Sequence, residues 1–271
     1  MKFSHLNLFI QDRIATLKLN RPKALNALNK EMIKELHRAV EFLDENNDVR
    51  VVILTGEGEK SFVAGADIME FKDFNKEEGR ALSVTGHTSL FNRISNATKP
   101  YIAAINGFAL GGGLELAMAC HVRIASATAK MGLPESSLGV IPGYGGTQRL
   151  VQLIGKGKAL EMMFSAKMIG SDTAEKYGLV NKVCDSEVLM VESLKMANSF
   201  IKNSGDAQAA IIRVVNSTLE GGQGFDSEIK EFGERFGSAE FAEENVVVSL
   251  VTNKSLAIVI DSEPSVVVKP I

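Results

Sequence analysis

The chain has 271 residues and 45% apolar content, enough to bury one large core or two smaller ones. Its formal charge of −3 offers no electrostatic footprint for nucleic acid or an anionic membrane. Two cysteines in such a length, Cys120 and Cys184, argue against a disulfide framework.

Leu6–Gln11 and Ile14–Leu19 alternate about Asp12-Arg13, which predicts a hairpin. The first eleven residues carry neither the basic stretch and long apolar core of a secretory signal nor the Arg/Ser bias of a transit peptide. No apolar run reaches membrane-spanning length, so the expected location is cytoplasmic. Asn29 is placed to cap a helix over 29–46, with Met32, Leu36, Val40 and Leu43 on one face. Residues 49–55 form a continuous apolar run of the kind buried in parallel sheets. Residues 62–66 are small and apolar, and Asp67 then reads as a helix start. A helix is predicted over 79–95, and Tyr101–Ile105 is a second buried strand. Beyond a glycine turn and a small-residue helix, 122–125 is another strand. Strand and helix alternate, which predicts an α/β fold.

After Pro142 the pattern turns helical, over 147–153, 157–164, 171–177, 188–203, 207–219 and 225–241, with a short strand at 180–183. Asp206 reads as a cap and Gly221-Gly222 as a stop. The expected division is a core over 1–200 and a helical segment over 201–271. From about residue 245 the tail changes character. Its β-branched runs at 246–248, 258–260 and 266–268 predict strands. An altered reading frame and a lineage-specific tail account for it equally well.

Function turns on Asn106-Gly107-Phe108-Ala109-Leu110-Gly111-Gly112-Gly113-Leu114-Glu115, which lies between the Tyr101 strand and the helix over 116–120. A glycine turn feeding a helix start brings unpaired backbone N–H groups close to a ligand, where they can hold an anionic oxygen. Glu115 sits on the first turn of that helix. Twenty residues on, Glu135 follows Pro134 in a loop. Standing alone, the first would be a dipole-matching helix residue and the second an exposed loop charge. Brought together, they do not both ionise easily. One keeps its proton while the other is charged, and the titration belongs to the pair. Such a pair suits an addition of water in which one group activates the water and the other donates a proton.

Other chemistries lack their residues. Gly56-Glu57-Gly58 follows a strand, but the third glycine of a dinucleotide fingerprint falls on Ser61. There is no phosphate-loop lysine motif and no nucleophile elbow. The four histidines are scattered and lack metal spacing, so no metal is expected.

In order along the chain stand Asn20-Arg21-Pro22 with Leu25-Asn26-Ala27-Leu28, Phe62-Val63-Ala64-Gly65-Ala66-Asp67-Ile68, the glycine stretch ending in Glu115, Pro134-Glu135, Gly139-Val140-Ile141-Pro142-Gly143-Tyr144-Gly145-Gly146-Thr147-Gln148-Arg149, and Gly178-Leu179-Val180. This ordered set resembles the enoyl-CoA hydratase/isomerase (crotonase) family, in particular bacterial short-chain hydratases, up to about Glu244. Three positions depart from the family pattern: Leu133 where glutamine is usual, His121 where aspartate is usual, and the tail, where a basic helix is usual.

The resemblance implies a spiral of strand–strand–helix repeats and a helical C-terminal part that builds homotrimers, which pair into hexamers. It implies hydration of a short-chain 2-enoyl-CoA to the 3-hydroxyacyl-CoA, with no resident cofactor and CoA entering as part of the substrate. The backbone N–H groups of Ala66 and Gly112 would form an oxyanion hole for the thioester oxygen. Glu135 would supply the α-carbon proton, Glu115 would activate the water, and Gly143 would hold that water through backbone. Ala64, Ala66 and Ile68 would lie against the CoA moiety, flanked by Asp67 and Met69. Asp67 reads equally well as a plain N-cap. An enoyl-CoA isomerase or another acyl-CoA lyase is the alternative within the family, and retention of both glutamates speaks against it. A non-catalytic RNA-binding homologue is the alternative of another class. The acidic balance and the lack of a basic, aromatic-rich groove speak against that.

Overall fold

The computed structural model describes residues 2–70, 72–219, 221, 223–241, 256–257 and 269–270. Strands β1 (Leu6–Gln11) and β2 (Ile14–Leu19) pair antiparallel about Asp12 and Arg13, both at positive φ. Helix α1 (Lys30–Glu45) is capped by Asn29, whose side-chain oxygen accepts from Met32 N at 2.9 Å.

Three successive units then repeat one pattern of strand, strand and helix. The first holds β3 (Val51–Gly56), β4 (Ser61–Val63) and α2 (Lys76–Gly86), which runs on through a π turn (His87–Phe91) into α3 (Asn92–Ser95). The second holds β5 (Tyr101–Ile105), β6 (Phe108–Leu110) and α4 (Gly112–Ala119). The third holds β7 (Val122–Ser126), β8 (Lys130–Gly132) and α5 (Gly146–Ile154). There follow α6 (Lys156–Ser165), β9 (Ile169–Gly170), α7 (Ser171–Tyr177), β10 (Lys182–Cys184), α8 (Leu189–Ile201), α9 (Gly205–Leu219) and α10 (Gly224–Arg235), with β11 (Leu256–Ala257) and β12 (Lys269–Pro270) pairing antiparallel.

The first strand of each unit joins a six-stranded sheet, in the order β1-β2-β3-β5-β7-β10 among the described residues. The second strand joins a four-stranded sheet, β4-β6-β8-β9. Each unit therefore steps both sheets forward by one parallel strand, which is the spiral the resemblance implies. The larger sheet is covered on both faces. Val52, Leu54, Ala103 and Ile105 face the main core, while Val51, Ile53, Ile102 and Ala104 face Leu189 and Ala197 of α8. Double cover explains the unbroken apolar runs of β3 and β5.

Several expectations are corrected. The helix expected at 79 begins at Lys76, because Asn75 forms a capping box with Glu78. It does not run unbroken to 95 but widens into the π turn after Gly86. Asp206 lies in the first turn of α9, and Ser204 Oγ accepts from Ala207 N at 3.0 Å in the capping role. The last long helix ends at Arg235, and the last core strand lies at 182–184. Strands β6, β8 and β9 escape a reading by periodicity because they have three, three and two residues. The runs at 246–248, 258–260 and 266–268, and Gly222, lie outside the described residues.

Two compact units are resolved, Met1–Ile212 and Arg213–Ile271; the expected boundary at 200/201 falls inside α8, before its last residue, and so inside the first. In the second, Glu231 of α10 receives both Nε and Nη2 of Arg213, at 2.8 and 2.7 Å. No helix among the described residues is long and apolar enough to cross a membrane.

Candidate active site

Everything in this site hangs on the turn from β6 into α4. The β6–β8 ladder ends where Gly111 N donates to Gly132 O at 2.9 Å. Gly111 then takes φ 50 and ψ −126, open to glycine without strain, and the chain enters α4. A Cβ at Gly113 would stand 2.1 Å from Val63 O, so only glycine lets α4 pack this close to β4. Every residue of α4 is buried, Glu115 included. Gly112 is the first residue of the helix, and its N–H is one of the donors left without an intrahelical partner.

A second N–H comes from the segment after β4. Leu28 N donates to Gly65 O at 2.9 Å and Asp67 N to Leu28 O at 2.7 Å, a parallel bridge that brackets Ala66. In extended chain successive peptide groups point to opposite sides, so the Ala66 N–H faces away from Leu28. Ala66 and Gly112 both line one cavity of about 460 Å³, together with Ala64, Ile68, Glu115, Glu135 and Gly143. That size suits a small organic ligand.

The two carboxylates enter the cavity in different states. Glu115 is 1% exposed, and its Oε1 accepts from Tyr144 N at 2.8 Å and Gly146 N at 2.7 Å. Burial pushes its carboxyl up to about 7; the two N–H donors oppose that, the Glu135 charge adds to it, and Arg149 opposes it. Because both donors land on Oε1, the other oxygen is left for a different partner. Glu135 opens a short helical turn after Pro134. Its carboxylate lies over Gly111, where an added Cβ would stand 2.8 Å from Oε1. Its buried Oε2 has no hydrogen-bond partner among the described residues, and burial raises its pKa. A protonated Glu135 would turn that orphan acceptor into a donor aimed at a ligand.

Asp67 and Met69 do not line the cavity. Asp67 pairs with Arg21 at 3.1 Å, and Arg21 also donates to Ala27 O, so the pair ties the Ala66 segment to the loop before α1. Met69 is 71% exposed. Leu133 is buried in the core and does not reach the cavity wall. His121 lies elsewhere: its Nδ1 accepts from Tyr101 N at 2.9 Å, which leaves Nε2–H to donate to Ser95 O at 3.2 Å. Burial lowers its pKa to about 4, so the ring is neutral and structural.

Sequence reasoning did not find the far wall. Leu82 and Ser83 of α2, with Leu138, Val140 and Ile141 of the loop before Pro142, complete the cavity. The apolar Leu138-Gly139-Val140-Ile141 stretch in a loop was the available signal, since Ile141 is 75% exposed. Tyr144 stacks on Phe91 at 4.7 Å and 11° and leans on Gly86, where a Cβ would collide with its ring.

The model of the family described as "Enoyl-CoA hydratase/isomerase" matches residues 10–248. The chain is 44% identical over 244 residues to a short-chain-enoyl-CoA hydratase of Clostridium acetobutylicum, covering 89% of this chain and 92% of that one. It is 45% identical over 201 residues to a crotonyl-CoA hydratase of Syntrophomonas wolfei, covering 74% and 77%. A crystal structure of an enoyl-CoA hydratase from Bacillus anthracis superposes with a TM-score of 0.86 at 32% identity, over 92% of this chain and 97% of that one.

Proposed function

The chain belongs to the enoyl-CoA hydratase/isomerase family, and we propose that it adds water reversibly across the double bond of a short-chain 2-enoyl-CoA. The product is the 3-hydroxyacyl-CoA. The observation that carries this reading is the meeting, in one cavity, of two backbone N–H groups and two carboxylates in different hydrogen-bonding states.

The thioester oxygen is held by the N–H groups of Ala66 and Gly112. They stabilise the enolate that forms as charge moves onto that oxygen, and losing one such donor typically costs ~3 kcal/mol of transition-state stabilisation. Glu115, fixed through Oε1, presents Oε2 to a water and takes its proton as the water attacks Cβ. Gly143 holds that water through backbone. The pair shares one proton, which burial favours on Glu115 at rest; hydration uses the form in which Glu135 holds that proton and gives it to Cα. Hydration therefore leaves Glu115 protonated and Glu135 charged, and loss of water runs both transfers backwards. Ala64 and Ile68 line the path of the CoA moiety, which arrives with the substrate and leaves with the product; no resident cofactor is needed. Asp67 acts through Arg21 as an anchor of the Ala66 segment.

The short acyl chain is favoured by the names of the two similar hydratases. Self-association, read from the family resemblance as a homotrimer or a hexamer of two trimers, is supported by exposed Phe225, Ile229 and Phe232 on α10 and Phe236 at its C-cap. A cytoplasmic location fits the two free thiols.

The deciding experiment follows the loss of conjugated-enoyl absorbance when the purified protein meets crotonyl-CoA, beside Glu135→Gln. Rapid loss that vanishes in the variant is expected. No loss from a folded protein, with double-bond migration in a 3-enoyl-CoA, would replace hydration by isomerisation.

A further inference from the structure

One hydrogen bond near the cavity joins helix α2 to the machinery without touching either carboxylate. Ser83 Oγ donates to Gly143 O at 2.7 Å. Gly143 O and Tyr144 N belong to the same planar peptide group, and they point in opposite directions. The far side of that peptide is the Tyr144 N–H that donates to Glu115 Oε1 at 2.8 Å. The path therefore runs from a hydroxyl on α2, through one peptide, to the carboxylate read above as the base. Donation to a peptide oxygen polarises the N–H on its other side and strengthens the bond that N–H makes.

The rest of the loop is held in ways that leave this peptide as the adjustable part. Arg149 Nη1 holds Tyr144 O at 2.8 Å, and the Tyr144 ring is stacked on Phe91. Gly145 between them sits at φ 101. A Cβ at Gly143 would meet nothing within 4 Å, so no packing fixes that residue from its side-chain position. The hydrogen bonds to the Gly143–Tyr144 peptide group itself run to Ser83 on one side and to Glu115 on the other. Ser83 also lines the cavity, on the same turn as Leu82, so the wall facing the ligand and the clamp on the base are one helix.

We propose that Ser83 is a positioning residue for Glu115, acting through the Gly143–Tyr144 peptide and coupling the α2 wall of the cavity to the base. This rests on the reading of Glu115 as the base. Ser83→Ala removes the hydroxyl and nothing else. The Tyr144 N–H then favours the ionised Glu115 less, so the acidic limb of the kcat/KM profile moves to higher pH. A loss of about fivefold in kcat is expected, the size of one net hydrogen bond. KM for crotonyl-CoA changes less. Ser83→Thr keeps the hydroxyl and restores both the rate and the limb.

The test measures pH–rate profiles of the full-length protein, Ser83→Ala, Ser83→Thr, Glu115→Gln and the exposed control Arg80→Ala, all matched by circular dichroism. A shifted limb in Ser83→Ala, rescued by threonine and absent from Arg80→Ala, supports the proposal. A wild-type profile in Ser83→Ala, or a slower rate with an unmoved limb, overturns it. Glu115→Gln separates the two levels: if it keeps near-wild-type turnover, the reading of the base has failed, whatever Ser83 does.

Discussion

Glu115→Gln tests both the electrostatics and the chemistry of the site, and it does so in a stability measurement that needs no substrate. In the folded protein burial holds the Glu115 carboxyl near 7, against 4.5 for an ordinary glutamate. Between those two values the folded chain keeps a proton that the unfolded chain has released. Stability therefore falls as pH rises through that window, and the cost is fully present above 7. About 2.5 units at 1.36 kcal/mol each puts the cost at about 3 kcal/mol. Glutamine removes the titration while keeping the packing. Both Tyr144 N and Gly146 N donate to Oε1, so a single amide oxygen in that place accepts both bonds. The amide nitrogen then occupies the Oε2 position, on the cavity side. Urea unfolding at pH 5 and at pH 8.5 should show the variant gaining on the wild type by about 2–3 kcal/mol between the two conditions, while hydration falls by orders of magnitude. Titrating groups that do not feel the Glu115 charge are common to both proteins and cancel in the difference; Glu135, coupled to it, contributes a smaller part. Parallel stability curves would refute the account of Glu115 as a carboxyl held up by burial.

Glu135→Gln should also abolish turnover of crotonyl-CoA with an unchanged fold, while the wild-type pH–rate profile should show an acidic limb near 7 from Glu115; a limb below 5 would contradict that assignment. Gly113→Ala should cost about 3 kcal/mol or more by chemical denaturation, since the new Cβ meets the carbonyl of Val63 and backbone cannot give way as a side chain would. His121 tests the opposite sign. Its folded pKa of about 4 lies below the usual 6.5, so its contribution is complete above 6.5 and is lost as pH falls towards 4. His121→Asn should flatten the stability curve in that window, and an unchanged slope would show that the ring protonates freely.

The fold was legible where segments were long. The hairpin, α1 and its Asn29 cap, and the buried strands β3 and β5 announce themselves through alternation, helical spacing or unbroken apolar runs. The second sheet was not legible, and the reason is length. Three-residue strands such as β6 and β8 show no period, and they exist because neighbouring units bring them side by side. The site divides in the same way. Gly112 and Glu115 could be placed by reading strand, glycine turn and helix locally. Ala66 could be named, but the direction of its N–H depends on the bridge to Leu28, thirty-eight residues away in the chain, counting from 28 to 66. Glu135 could be named too, yet nothing local says that its carboxylate lies over Gly111, since that follows from the β6–β8 register. Ser83 was invisible for the strongest reason of all. Its partner is a backbone carbonyl sixty residues on, and a carbonyl leaves no mark in the sequence. Side chains that act on one another leave a pattern of residue types, whereas side chains that act through peptides are found only when the chain is folded. The residues most easily missed in such a site are therefore those that hold the backbone donors in place, and they decide how far the two glutamates can differ.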